Sequence, residues 1–411
     1  MGASIIETVE PALLEWAEHN GSKDAVALRK KFTHWDAWVS GHSAPSLAQV
    51  HKISDFTNIP FGMLMLSQPP QVELPVRDFR SGRNSQTCPD SPPASRDLLD
   101  VIMQMQRRQN WYEDYLGSVG ADVPLDFVES SRGATYMAAA ASIRSHLEYE
   151  VKDRIEFKAK TDARSYLMRT FEQAGGLVVI TSMVGNSTSR ILNNHEFRGF
   201  TLHSNLAPLV FVNSAHESVN AQVFSLLHEF AHVWRGESGI SAGGNEDDQN
   251  QDPHLMNPPP NPQANREIEQ WCDLVAGEVA VPADDLRQRF DAGYHDFTEE
   301  LERLSSTYWC STLVVLLRLR QTGLVPWEGF AQTYAAEVER LQELAAQNDA
   351  SGGRADFYRN QRFRIGETLS RAVIRDLKRG RTSPTQALRL LGFSSMSMID
   401  KYASGDYLGE S

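Results

Sequence analysis

The sequence predicts a mostly helical α+β protein of more than one domain. Three observations lead there. Apolar residues recur at helical spacing over most of the 411 residues, three short β-branched runs are confined to about residues 175–214, and a Pro/Ser-rich break interrupts the pattern near residue 80.

The elements follow in chain order. Residues 1–66 hold short helices: "PALLEWAEHN" has a helical apolar pattern, "SKDAVALRKKF" opens on Ser22 as an N-cap, and Gly41 and Pro45 punctuate two more. Residues 67–95 form a linker ending in "RSGRNSQTCPDSPPAS". Residues 96–175 return to helix, beginning with "RDLLDVIMQMQRRQNWYEDYL". Then "GGLVVITS", "FRGFTLHS" and "PLVFVNS" predict a small sheet. They open a domain spanning 176–345, within which residues 236–265 form a polar, Gly/Asn/Asp/Pro-rich insert expected to be flexible. Residues 346–411 read as a further helical region, including "SPTQALRLLGFSSMSMIDKYASG".

Composition narrows the function classes. A formal charge of −13 argues against a surface coated for non-specific nucleic-acid binding, though not against one small DNA-reading module. Cys88, Cys272 and Cys310 are odd in number and far apart, which suggests no disulfide framework and favours a reducing compartment. The N-terminus lacks the basic and apolar regions of a signal peptide, and no apolar run approaches the roughly 20 residues that cross a bilayer. The expected location is cytoplasmic.

The stretch "FSLLHEFAHVW", Phe224–Trp234, sets three ionisable groups in an otherwise apolar helix. Burying polar groups without partners costs roughly 1–3 kcal/mol each, so these need a reason. Residues four apart lie on one helix face, so His228 and His232 can offer imidazole nitrogens to one zinc. Glu229 is turned about 100° from His228, close enough to act as a general base on a water beside the metal. A catalytic zinc usually takes a third protein ligand. Downstream, "NREIEQWCDLVAGEVAVP" places Glu269 and Asp273 four apart on a second helix. Glu269 is the favoured third ligand, and Asp273 can hydrogen-bond the far nitrogen of a ligating histidine. Glu267, turned about 200° from Glu269, Glu278, more than two turns away, and His254, in the insert, compete for the same role. Cys272 reads as a small buried thiol rather than a ligand.

These blocks resemble the ImmA/IrrE family of zinc metallopeptidases. "EFRGFTLHSNLAPLVFVN", "AQVFSLLHEFAHVW" and "IEQWCDLVAGEVAVP" are similar to three successive segments of it. Residues 38–80 are similar to the leading section of longer members, in which a Cro/repressor-like helix-turn-helix precedes the peptidase. "RQNWYEDYL" and "FYRNQRFRIGETLSRAVIRDL" also fit those members. The resemblance implies a zincin-like, gluzincin fold with a small sheet beside the metal helix. It implies His228, His232 and Glu269 as zinc ligands and Glu229 as catalytic base. It further implies cleavage of a partner transcriptional repressor, which releases stress-response or mobile-element genes. The family often has Asn where Asp273 stands here. The oxyanion-stabilising group is not readable; Arg198, His195 and Tyr308 stand unranked.

Residues 1–66 then pose a separate question. Their would-be recognition helix, "FTHWDAWVSG", carries Trp35 and Asp36, an awkward pair to offer phosphates and base edges. Lys23, Arg29, Lys30 and Lys31 can hold a DNA backbone or simply form a solvated face. Trp38 is expected in the core and Trp35, if exposed, as a contact to a repressor-type protein. The rival functions are a DNA-binding regulator with a peptidase-like sensing domain, and a toxin–antitoxin or phage-defence component.

Overall fold

A computed structural model describes residues 9–405, apart from 24, 71–73, 75, 79–93, 243–262, 327 and 350–356. The N-terminal part holds α1 (Pro11–Asn20), α2 (Ala25–Lys31), α3 (Trp35–Val39), α4 (Leu47–Thr57) and α5 (Phe61–Leu64). Leu13, Leu14, Leu28, Trp35, Trp38, Val50, Ile53 and Leu64 close into a core of their own. The helix read as a recognition element is only the five residues of α3, and Trp35 is fully buried, its indole N–H donating to Glu18 at 2.6 Å. Trp35 is therefore no surface contact: the short helix must turn both tryptophans inward to fill a core this small.

A five-stranded mixed sheet organises the rest, with β1 (Arg77–Asp78), β2 (Leu177–Thr181), β3 (Phe197–Leu202), β4 (Leu209–Asn213) and β5 (Gly239–Ala242) in the order β1-β5-β3-β4-β2. β3 runs antiparallel to both β4 and β5, while β2 pairs parallel with β4, and β1 with β5. Two strands were not expected. β1 lies within the 67–95 linker, and β5 within the 236–265 stretch read as a flexible insert. The polar composition that marks the insert hid a short pairing segment at its start. Residues 243–262, which include His254 and most of that insert, lie outside the described residues.

Every residue of β2 and β4 is buried, because helices cover both faces of the sheet. On one face Val178, Ile180, Val210 and Val212 pack with α7 (Tyr136–His146), α8 (Lys160–Gln173), α9 (Val219–Arg235), α10 (Gln263–Ala280), α12 (Phe297–Tyr308) and α13 (Thr312–Gln321). α11 (Ala283–Arg289) joins this layer through Leu286, and α14 (Phe330–Asp349) through Phe330. On the other face Leu177, Val179, Phe200, Phe211 and Ile240 pack with α6 (Arg96–Val119), α15 (Phe357–Ile365), α16 (Glu367–Lys378), α17 (Pro384–Leu391) and α18 (Met396–Ser404). Segments more than 200 residues apart thus share one apolar layer. Among the described residues no helix is long and apolar enough to cross a membrane.

α9 is central to this arrangement. Ser218 caps its start, accepting from the Ala221 N–H at 3.2 Å. Gly236 ends it at φ +78, a left-handed conformation that costs glycine little, and its N–H returns to the His232 carbonyl at 2.9 Å. The helix packs against β3, β4, α7, α8 and α10, so residues 225–234 are all buried.

Candidate metal centre

Burial on every side forces the polar groups of α9 to find partners inside the protein, and they find them on α10 and on the sheet. His228 and His232 turn toward α10 with their Nε2 atoms 3.2 Å apart. Glu269 of α10 meets both, its Oε2 3.5 Å from His228 Nε2 and its Oε1 3.1 Å from His232 Nε2. The three residues can each offer one ligand atom, all within 4.8 Å of one another. Glu269 Oε1 is buried and accepts no hydrogen bond despite that proximity. Two imidazole nitrogens and a carboxylate converging on one point in this way fit a tetrahedral divalent ion better than they fit each other. Burial opposes charge on His228, but Glu269 and Asp273 outweigh it and raise its pKa to about 10. Burial likewise pushes Glu269 up, yet the two histidines pull it down to about 2. A cation at this point would take over the proton's role.

Asp273, one turn further along α10, accepts from His228 Nδ1 at 2.9 Å. That bond holds a proton on Nδ1 and turns Nε2 toward Glu269 and His232, where a metal ion would displace the second proton. The competing residues are elsewhere. Glu267 is exposed, and Glu278 is buried against the Arg318 guanidinium and the Ala283 N–H. Cys272 is fully buried, and burial, with Glu269 and Asp273 nearby, holds its thiol well above the ordinary range.

Glu229 points to the sheet side of the same pocket. Its Oε1 accepts from the Ser241 hydroxyl of β5 at 2.7 Å, and its Oε2 from the Thr201 hydroxyl of β3 at 2.8 Å. The carboxylate reaches β3 because residue 199 is glycine: a Cβ there would stand 2.6 Å from Glu229 Oε1. Burial raises the Glu229 pKa, while His232, His228 and the two hydroxyls oppose that shift. The result is a carboxylate held in place on both oxygens, each of which keeps a lone pair for a proton.

A solvent-open pocket of about 320 Å³ lies in front of this cluster, lined by Arg198, Phe224, Ser225, His228, Glu229, Ser241, Glu269 and Asp273. Of the three residues left unranked for the oxyanion, only Arg198 lines it. His195 is exposed on the preceding loop, and the Tyr308 hydroxyl is committed to Asp285 at 2.8 Å within the core.

Ser241, Thr201, Gly199 and the placement of Arg198 were missed by the sequence reading. Only Gly199 left a signal, since a glycine inside a strand pattern often marks a bulge or a close approach.

Residues 172–320 match the family model described as the IrrE N-terminal-like domain, Peptidase_M78. This is a metallopeptidase family, and the matched segment contains β2 to β5, α9 and α10. Residues 365–405 match a second model, a domain of unknown function named DUF8813. A search of curated proteins returns no match. The family match points to a peptidase, and so to a hydrolase.

Proposed function

We propose that the protein is a zinc-dependent endopeptidase that hydrolyses a peptide bond in a partner protein. The observation that carries this reading is the meeting of His228, His232 and Glu269 at one buried point with Glu229 clamped beside it. The three would hold the ion, and bound zinc would polarise the substrate carbonyl and the attacking water. Glu229 would take a proton from that water and return it to the amine as the C–N bond breaks. Its burial near two imidazoles keeps water away from all but the open side of the pocket. Asp273 would hold His228 in the tautomer that presents Nε2.

The resemblance set out above supports a helix-turn-helix repressor as the substrate and a role in gene regulation or stress response. Residues 1–66, with a core of their own, suit a docking module that raises the local concentration of that partner. DNA binding by these residues has less support, because Arg29 is already shared between Glu18 at 3.0 Å and Asp36 at 2.8 Å. Lys23 reaches the Ser189 carbonyl at 3.0 Å.

The test is metal analysis joined to cleavage mapping by mass spectrometry against unfolded casein and neighbouring gene products. The wild-type protein should hold about one zinc per chain and cut, and Glu229→Gln should keep the zinc and stop cutting. Full cleavage by Glu229→Gln would refute the mechanism.

A further inference from the structure

We infer that Arg198 is a catalytic residue of this centre, its guanidinium meeting the substrate oxygen that becomes negative as the peptide bond is attacked. The inference rests on the peptidase reading and adds to it the one group that reading lacks.

Three observations carry it. The first is backbone geometry. The β3–β5 register steps from Phe197 opposite Ala242 directly to Gly199 opposite Ser241, so Arg198 is the extra residue of a bulge. Such bulges bend a strand and re-aim one side chain, and they are common next to active sites. The Asn213 side-chain amide donates to the Phe197 carbonyl at 3.0 Å, which steadies the β4 side of the irregularity. The second is location: Arg198 lines the same pocket as His228, Glu229 and Glu269, and it is the only Lys or Arg among the lining residues. The third is availability. Arg198 is half-buried, yet among the described residues its guanidinium makes no hydrogen bond or ion pair. It acts at a distance on half-buried Glu217, whose pKa desolvation pushes up to about 7 and Arg198 draws down without bonding to it. A half-buried guanidinium with five N–H donors and no acceptor is a costly arrangement unless an acceptor arrives with the substrate.

The step then balances. The water oxygen bonds to the carbonyl carbon, the C=O π pair moves onto oxygen, and Glu229 accepts the water's proton. Arg198 donates to the new oxyanion. The C=O re-forms, the C–N bond breaks, and the proton passes from Glu229 to the amine nitrogen. Consecutive residues of β3 serve both ends of this step, since Arg198 meets the oxyanion and Gly199 makes room for the base.

The test uses the full-length, zinc-loaded protein. The probes are a fluorogenic peptide built on a bond that the wild type cuts in casein, and a phosphinic peptide with the same flanking residues. Arg198→Ala should lower kcat about 10²–10³-fold, the usual loss for one oxyanion donor, with KM within about threefold of wild type. Arg198→Lys should recover part of that loss. Calorimetry should show the phosphinic peptide losing affinity by about the same factor as kcat/KM, while the product peptide binds unchanged. Zinc content should match wild type in both variants, and Tm should not fall, since Arg198→Ala removes a guanidinium that lacks an acceptor. Unchanged kcat, a loss confined to KM, or undiminished phosphinic-peptide affinity would overturn the assignment. A wild-type protein that holds no zinc and cuts nothing would overturn the peptidase reading first, a result visible before any variant is made.

Discussion

Replacing Ser241 with alanine removes a hydroxyl that sits 2.7 Å from Glu229 Oε1 and changes nothing else in the hydrogen-bond pattern. Glu229 is 1% exposed, so its Oε1 loses a fixed donor that only a water from the open side of the pocket could replace. A hydrogen bond to a charged group contributes about 1.5–3 kcal/mol, and the stranded oxygen carries that cost in the folded state only. Ser241→Ala should therefore lower the stability of the zinc-loaded protein by that amount, read from urea midpoints at constant m. The freed carboxylate is then held only by Thr201, at 2.8 Å on the other oxygen. A base displaced by even 1 Å costs on the order of 10²-fold, so kcat should fall about 10–100-fold with zinc content unchanged. The decisive control is a double-mutant cycle with Glu229→Gln. A neutral acceptor is worth only about 0.5–1.5 kcal/mol, so Ser241→Ala should cost about 1 kcal/mol less in that background. An equal cost in both backgrounds, with kcat intact, would show that Ser241 merely packs the strand and does not position the base.

Glu269→Ala should weaken zinc binding far more than Glu267→Ala, with Asp273→Ala losing about 10–100-fold, all measured by chelator competition. Trp35→Ala should cost about 3–5 kcal/mol in the N-terminal helices, seen by circular dichroism, because the ring is fully buried there. Glu172, in the interface between α8 and α16, should make stability fall with rising pH. Burial pushes its pKa from 4.5 to about 8, opposed by the Glu367 N–H and by Arg371, with Glu367, Tyr112 and Tyr402 also nearby. The folded state keeps this proton where the unfolded chain has released it, so the contribution is complete below about pH 4.5 and is lost as pH rises through about 8. Glu172→Gln should flatten that decline, by a few kcal/mol at pH 9 relative to pH 5, as followed by urea denaturation at each pH.

The residues that were legible before the fold was known are those whose relations are local. His228, Glu229 and His232 sit within five positions of one helix, where 3.6 residues per turn already decides which side chains share a face. The same periodicity separated Glu269 and Asp273 from Glu267. Strands β2, β3 and β4 were legible for a like reason, since their β-branched or alternating runs are bounded by Gly, Asn and Ser. The role left open for Trp35 depended on its exposure, and the fold closes that option because the short chain of helices has too few other large side chains to fill a core. β5 was hidden because four residues of strand carry almost no periodic signal beside a polar stretch.

What the sequence by itself determined is thus the kind of chemistry: a helix bearing two histidines and a glutamate, a second helix with carboxylates in phase, and a small sheet ahead of both in the chain. What only the tertiary structure decided is how that chemistry is held. The pairing of β3 with β5 brings Thr201 and Ser241 to the two oxygens of Glu229. The bulge in that pairing turns Arg198 toward the same pocket, and the absence of a side chain at Gly199 lets the carboxylate in. These relations join residues 28 and 12 positions from Glu229 along the chain. They depend on strand register, and register follows from the packing of both sheet faces rather than from the propensity of any one segment.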